Sequence, residues 1–438
     1  MAKILLIAYD NDSYIHWPPQ GLMYLASALQ GHKVTIYSQD VYHWPEEHLT
    51  DYLDWNDFDV VGLGFVGGYY QYAKALKISR AVRAAKRRVH YILGGHGPSP
   101  EPEYFLGKME ADAVVCGEGE RAVHEAIRRD GIFRGHRIED IDSIPFPAWN
   151  LFPMDYYTLM REPHIRNNER CFPVITARGC PFKCNFCYRM DTGVRLRSAE
   201  SIVEEVQKLK ADYGVSYIAF NDELLMTSEA RTYELCEAFM GLGIRWNCMG
   251  RLNFAKPELI QTMKRAGCVF INYGIECLDD QCLKNMNKNL TVEQITKGIE
   301  ATLSAGVSPG FNIIFGNIGE SEKTLQAGVD FLLKYDDHSQ LRTIRPVTPY
   351  PGSPLYYHAI EKGLLGDVAD FYENRHKNSD LPAVNFTNLP DAELNKCLYD
   401  ANVALLENYH NHKFLEQRAQ LHDLYFNNDT AFRGLRQT

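Results

Sequence analysis

Val174-Ile-Thr-Ala-Arg178-Gly-Cys180-Pro-Phe-Lys-Cys184-Asn-Phe186-Cys187-Tyr188 lies near the middle of a 438-residue chain and decides how the rest is read. An apolar run ends in Arg178-Gly179, and three cysteines follow with three and then two residues between them. That spacing can set three thiolates on one face of a small loop. Three thiolates hold three irons of a cubane iron–sulfur cluster and leave the fourth iron open to chelate a substrate or cofactor. A structural zinc site needs a fourth Cys or His nearby, and the next candidates are distant in sequence. Cys180, Cys184 and Cys187 are the candidate metal ligands. The same spacing also arises by chance in a cysteine-rich chain, so the flanking sequence has to agree.

Composition agrees with a reducing setting. Eleven cysteines, an odd number, argue for thiols and a metal site rather than a disulfide framework. Hydrophobic residues make up 45% and charged ones 23%, as in ordinary globular proteins, and no run of eighteen apolar residues exists to span a membrane. The net charge of −10 argues against a nucleic-acid surface. The opening Met1-Ala-Lys-Ile-Leu-Leu-Ile-Ala has too short an apolar run for a signal peptide and reads as a first strand, giving a cytoplasmic expectation. The length exceeds what one core usually supports, so two or three domains are expected.

Residues 1–135 alternate short apolar strands (4–8, 34–37, 60–65, 91–95, 113–116) with amphipathic helices. Buried strands in this rhythm predict a doubly wound parallel sheet, Rossmann-like, with ligands at the strand C-termini. The loops there are glycine-rich: Gly62, Gly64, Gly67-Gly68, Gly94-Gly95, Gly97 and Gly117-Glu118-Gly119-Glu120. Glycine pairs alone serve tight βα turns as readily as ligand approach. Residues 136–170, with three prolines between 145 and 153, read as a linker. From 171 to 365 six further strands alternate with helices, which suits an open partial (β/α)6 barrel whose site lies at the strand C-termini. Asn221-Asp222-Glu223, Arg251, Glu276 and Glu320 fall at or just beyond those ends. Any one of them also fits a strand-end cap or a salt bridge. Residues 366–438 read as a small helical region, with helices at 390–411 and 413–426.

The cysteine string, with its aromatic Phe186 just before the third cysteine, closely resembles the cluster loop of radical S-adenosylmethionine (SAM) enzymes. Pro18-Pro-Gln-Gly-Leu-Met-Tyr-Leu-Ala26, Ile92-Leu-Gly-Gly-His96 and Val115-Cys-Gly-Glu-Gly-Glu120 resemble the cobalamin (B12)-binding domain that precedes the radical SAM domain in one subfamily, the class B methyltransferase-like enzymes. The resemblance runs from residue 1 to about 365. It implies a [4Fe-4S] cluster on the three cysteines and SAM beside it. Asn221, Asp222 and Glu223 would meet the SAM amino group, Arg251 the carboxylate, and Glu276 the ribose. Phe186 and the strand Gly310–Gly316, with Glu320, would pack around the rest. Gly64, Tyr69, Gly94, Gly95, Gly117, Glu118 and Gly119 would meet cobalamin. One departure is plain. Asp10, Asp12 and His16 stand in the right loop but do not form Asp-x-His-x-x-Gly, so cobalt is expected to lack a protein imidazole. His16, Tyr69 and Tyr70 are the side chains best placed to face it.

The resemblance implies methylation of an unactivated carbon through a 5′-deoxyadenosyl radical and methylcobalamin, with no general base required. The alternatives are a cyclisation, ring contraction or rearrangement with the same cofactors, and a non-catalytic cofactor-dependent sensor. A methylthiotransferase would need a further three-cysteine set in the N-terminal region, and none is there. The implied partners are a small-molecule or peptide substrate and an electron donor such as flavodoxin or ferredoxin. No catalytic side chain and no substrate can be named from the sequence.

Overall fold

A computed structural model describes residues 1–12, 17–429 and 431. The first six strands are β1 (Lys3–Ala8), β2 (Lys33–Ser38), β3 (Val60–Gly64), β4 (His90–Gly94), β5 (Ala113–Cys116) and β6 (Gly131–Arg134). All their pairings are parallel, in the order β2-β1-β3-β4-β5-β6. Parallel neighbours require crossovers, which the helices Gln20–Ala28, Glu46–Trp55, Tyr69–Ala84, Pro102–Lys108 and Gly119–Ala126 provide. Side chains alternate along β1. Ile4, Leu6 and Ala8 pack with Met23 and Val123 on one face, while Leu5 and Ile7 pack with Leu53, Ile78 and Phe105 on the other. The order reverses between β1 and β3, so the ligand crevice of such a sheet lies over their C-terminal ends. β6 is one strand more than the sequence shows. Gly-Ile-Phe-Arg is short, only partly buried and flanked by charges, and it carries little periodicity.

The second sheet consists of β7 (Arg170–Val174), β10 (Val215–Phe220), β11 (Arg245–Gly250), β12 (Cys268–Glu276), β13 (Ser308–Phe315) and β14 (Ile344–Pro346). Its order is β14-β13-β12-β11-β10-β7, again parallel throughout, which is the open partial barrel. Side-chain caps start its helices: Ser198 and Ser228 each accept from a backbone N–H, and Thr291 forms a capping box with Gln294. Between β7 and β10 sits a small antiparallel pair, β8 (Ala177–Arg178) with β9 (Arg195–Leu196).

The stretch 136–170, expected as a linker, is packed. Trp149, Phe152, Met154 and Tyr157 are buried in a core that runs from Ile4 and Met23 on to Phe172 and Val174, so the two sheets share one interior. The C-terminal region divides its contacts. Tyr356, Phe371, Tyr372 and Val384 join the other face of the first sheet, where Tyr372 stacks on Tyr72 at 4.5 Å. Residues 391–426 form a single 36-residue helix rather than two, since neither Gly nor Pro interrupts them. Its Asn402 side chain accepts from Ile344 N at 2.9 Å and donates to Ile344 O at 3.0 Å, which satisfies the edge of β14. Among the described residues no helix is long and apolar enough to cross a membrane.

Candidate functional site

The chain leaves β7, turns at Thr176 and enters β8, where Arg178 lies opposite Arg195 of β9. This short ladder is the neck of the loop that carries all three cysteines. Gly179 stands in the neck at φ +84°, and a Cβ there would fall 2.5 Å from the Gly193 carbonyl oxygen, so only glycine fits. Asp222, two residues past β10, is buried and anchors the entry. Its carboxylate accepts from Thr176 N at 2.5 Å, from Ala177 N at 3.0 Å and from the Thr176 hydroxyl. Burial pushes this carboxyl up to about 6, against the pull of those donors. The far side of the loop is tied to the segments that follow β12 and β13. Asn185 N donates to Met286 O at 2.9 Å, Asn185 and Asn317 exchange side-chain bonds at 3.1 and 3.2 Å, and Asn287 donates to Lys183 O at 2.7 Å.

Positive charge gathers beside the thiols. The Arg251 guanidinium lies 3.4 Å from the centre of the Phe182 ring and donates to Asn289 O at 3.1 Å and to Lys288 O. Its Nε is buried without a partner among the described residues. Lys288 Nζ pairs with Glu276 at 2.7 Å and sits 6.0 Å from the Phe186 ring. Glu276 ends β12 at φ +68°, and the β12–β13 register shifts between Gly274 and Glu276. A bulge with a non-glycine residue in the left-handed region re-aims a side chain at a cost in strain. The Cys184 sulfur accepts from Cys187, and this lowers its pKa; Lys288 and Arg251 add to the effect while burial opposes it. Further along, Gly316 follows β13 at φ +101°, and burial raises Glu320 to about 7 although Asn317 N donates to it at 2.8 Å.

Of the residues expected at SAM, the structure gathers Phe186, Asp222, Arg251 and Glu276 around the cysteine loop. Burial raises the Cys180 thiol, and the charge of the exposed Glu223 nearby adds to that rise. Asn221 lines a cavity of about 520 Å³ inside the barrel, shared with Asn247, Asn272, Asn312 and Glu162. Gly316 stands one strand further on, facing Val347 and Leu394.

On the first sheet, Gly64 and Gly94 are cross-strand partners, with Val115 beside Gly94, so a strip free of side chains crosses adjacent strand ends. Gly95 has φ +92°, and a Cβ there would meet Phe65 O at 2.8 Å; Gly117 has φ +77°. Gly119 begins the helix that follows. Tyr69 faces the C-terminal segment, edge-on to His376 at 6.5 Å with Lys377 Nζ 5.5 Å above its ring, and Tyr70 is exposed. Glu118 is turned toward the barrel, where it pairs with Arg178 at 3.0 Å and Arg195 at 2.7 Å. His16 lies outside the described residues. The sequence reading missed the roles of Arg178, Arg195, Lys288 and Glu162. All four make their contacts across dozens of residues or through a loop, and no local spacing signals them.

The donor set suits a cluster and a corrin. Among the described residues no three His, Cys, Asp or Glu side chains converge as a single ion requires, whereas a cubane takes each thiolate on its own iron. The glycine strip offers the side-chain-free surface that a broad ligand needs. The family model described as the Radical SAM superfamily matches residues 174–332, and that of the B12 binding domain matches residues 10–127. The chain is 28% identical to an uncharacterised methyltransferase of Pyrococcus horikoshii over 83% of this chain and 84% of that one. It is 27% identical to the bacteriochlorophyllide d C-12(1)-methyltransferase of Chlorobaculum tepidum, over 74% and 70%. It is 24% identical to the anaerobic magnesium-protoporphyrin IX monomethyl ester cyclase of Rubrivivax gelatinosus, over 86% and 71%. Among solved structures, the radical S-adenosylmethionine methyltransferase TsrM from Kitasatospora setae, with cobalamin and a [4Fe-4S] cluster bound, shares the fold. Its TM-score is 0.66 at 17% identity, over 83% of this chain and 75% of that one. The chain thus carries a radical SAM domain behind a B12-binding domain, the make-up of cobalamin-dependent radical SAM enzymes, and is similar to proteins named as methyltransferases and as a cyclase.

Proposed function

We propose that this enzyme methylates an unactivated carbon of a small polar molecule. Cys180, Cys184 and Cys187 hold the cluster, Arg251 and Glu276 with Lys288 hold SAM, and the glycine strip Gly64, Gly94, Gly95 with Gly117 and Gly119 carries cobalamin. When bound, these groups supply the carbon-centred radical and the methyl donor, the steps that protein side chains cannot perform. The chain's own work is positioning and exclusion of water. Asp222 fixes where the cysteine loop leaves the sheet, and the Asn185–Asn317 pair closes its far side. Asn221, Asn247, Asn272 and Asn312 line the barrel cavity with amide groups, which supports a substrate rich in hydrogen-bonding groups. The reading is carried by one observation: the cysteine loop's neck is fastened directly to the glycine-rich end of β5. Free cysteines and an open cluster suit a reducing cytoplasm, with a flavodoxin- or ferredoxin-type electron donor.

The test is an anaerobic substrate screen scored by 5′-deoxyadenosine release, followed by product mass. Methyl transfer predicts S-adenosylhomocysteine and 5′-deoxyadenosine near one to one with a product heavier by one methylene group and labelled from the SAM methyl group. The likeness to a cyclase favours one second reading, ring formation or rearrangement with the same cofactors. That reading predicts 5′-deoxyadenosine without product-linked S-adenosylhomocysteine and no added methylene.

A further inference from the structure

Glu118 belongs to the first sheet by sequence and to the barrel by contact. Its Oε1 lies 3.0 Å from Arg178 Nη1 and 2.7 Å from Arg195 Nη2, while its Oε2 accepts from Arg195 Nη1 at 2.9 Å and from Ile138 N at 2.7 Å. Arg178 and Arg195 are the cross-strand pair that closes the neck of the cysteine loop, so one carboxylate grips both arms of it. Glu120 adds a second bond to Arg178. None of these four side chains is more than 17% exposed, so solvent screens the pairs weakly. A contact of different chemistry joins the same two regions. Tyr188, directly after Cys187, meets the His96 ring edge-on at 4.9 Å, and His96 directly follows Gly94-Gly95.

We propose that Glu118 is a positioning residue that couples the two cofactor sites, so that cobalamin binds more tightly when the cysteine loop holds its cluster. Glycines flank Glu118 on both sides and bring no side chain of their own, so the backbone between the Gly117 N–H, which donates to Ser99 at 3.1 Å, and the helix that begins at Gly119 is tied to the barrel through this one carboxylate. A cluster orders the cysteine loop, the loop orders Arg178 and Arg195, and these fix Glu118 and the glycine backbone beside it. Such coupling is reciprocal: bound cobalamin must favour the cluster-bearing loop by the same factor. The proposal rests on the placement of cluster and cobalamin given under the proposed function.

The experiment titrates hydroxocobalamin into full-length protein, anaerobically, with and without reconstituted iron and sulfide. The cluster-bearing protein should bind about tenfold more tightly. In Glu118→Gln, which keeps the shape and loses the charge, both cofactors should still load but the ratio of the two affinities should fall to about one. Arg195→Lys keeps the charge and loses the two-pronged grip; it should give an intermediate ratio, and it carries the test if Glu118→Gln does not fold. A loss of stability alone would lower both affinities together and leave their ratio unchanged. A ratio of one in the wild-type protein, or an unchanged ratio in the folded variant, overturns the coupling. Failure of the wild-type chain to take up iron or hydroxocobalamin at all overturns the cofactor placement itself, and the coupling with it.

Discussion

The two six-stranded sheets offer opposite kinds of surface at their strand C-termini. The first presents backbone: Gly64 against Gly94, then Gly95 and Gly117 in left-handed conformations. The second presents charge: Arg251 and Glu276, both buried, around a loop of thiols. A broad ligand lying across strand ends is held by shape and backbone, and any Cβ would lift it away. A small zwitterion is held by charge-assisted hydrogen bonds, each worth more than a neutral one. One architecture thus serves two recognition problems, and substitutions should sort by sheet.

The largest separation comes from the cysteines. Cys184→Ala should reduce bound iron from about four per chain to background, while the circular dichroism of the parallel sheets persists. Iron retained at the wild-type level would remove the cluster from this loop. Next in size is Glu276. Loss of one charged hydrogen bond costs roughly 1.5–3 kcal/mol, so Glu276→Ala should weaken SAM binding by about one to two decades with iron content unchanged. A drop in iron without a change in SAM affinity would assign Glu276 to the loop instead.

The third effect is a pH dependence at the barrel cavity. Burial raises Glu162 to about 7, although Asn247 donates to it at 2.6 Å and pulls the other way. The folded pKa is raised above the ordinary 4.5, so this group's contribution to stability is complete below about pH 4.5 and is lost as the pH rises to about 7. Glu162→Gln should remove that part of the decline, on the order of 2 kcal/mol, in denaturant titrations at pH 5 and 7.5. Identical slopes for the two proteins would show that the carboxyl titrates normally. The smallest effect belongs to the first sheet. Gly95→Ala forces a side chain into the left-handed region against Phe65 O, a cost of about 1–2 kcal/mol, and should weaken hydroxocobalamin about tenfold without touching SAM affinity.

Much of this was legible in the chain because period and spacing are local. The alternating apolar runs announce both parallel sheets, and the cysteine spacing announces the loop. What stayed hidden depends on distant partners. β6 is four residues long and partly exposed, too short to show a pattern. The split expected near residue 412 does not occur, because Asn411 and His412 weaken a helix but do not end one. Glu118 sits in a glycine string that reads as a ligand loop, yet its carboxylate reaches Arg178, which is sixty residues away in sequence. Asp222 reads as a strand-end acid at a cofactor; its hydrogen bonds instead go to the residues that launch the cysteine loop.

The most direct test of two sites, two means and one enzyme uses dithionite-reduced, reconstituted protein given SAM with and without hydroxocobalamin, beside Cys184→Ala. 5′-Deoxyadenosine should form with or without cobalamin and disappear in Cys184→Ala. S-adenosylhomocysteine should form only when cobalamin is present. Release of 5′-deoxyadenosine by the cysteine variant, or of S-adenosylhomocysteine without cobalamin, would contradict this.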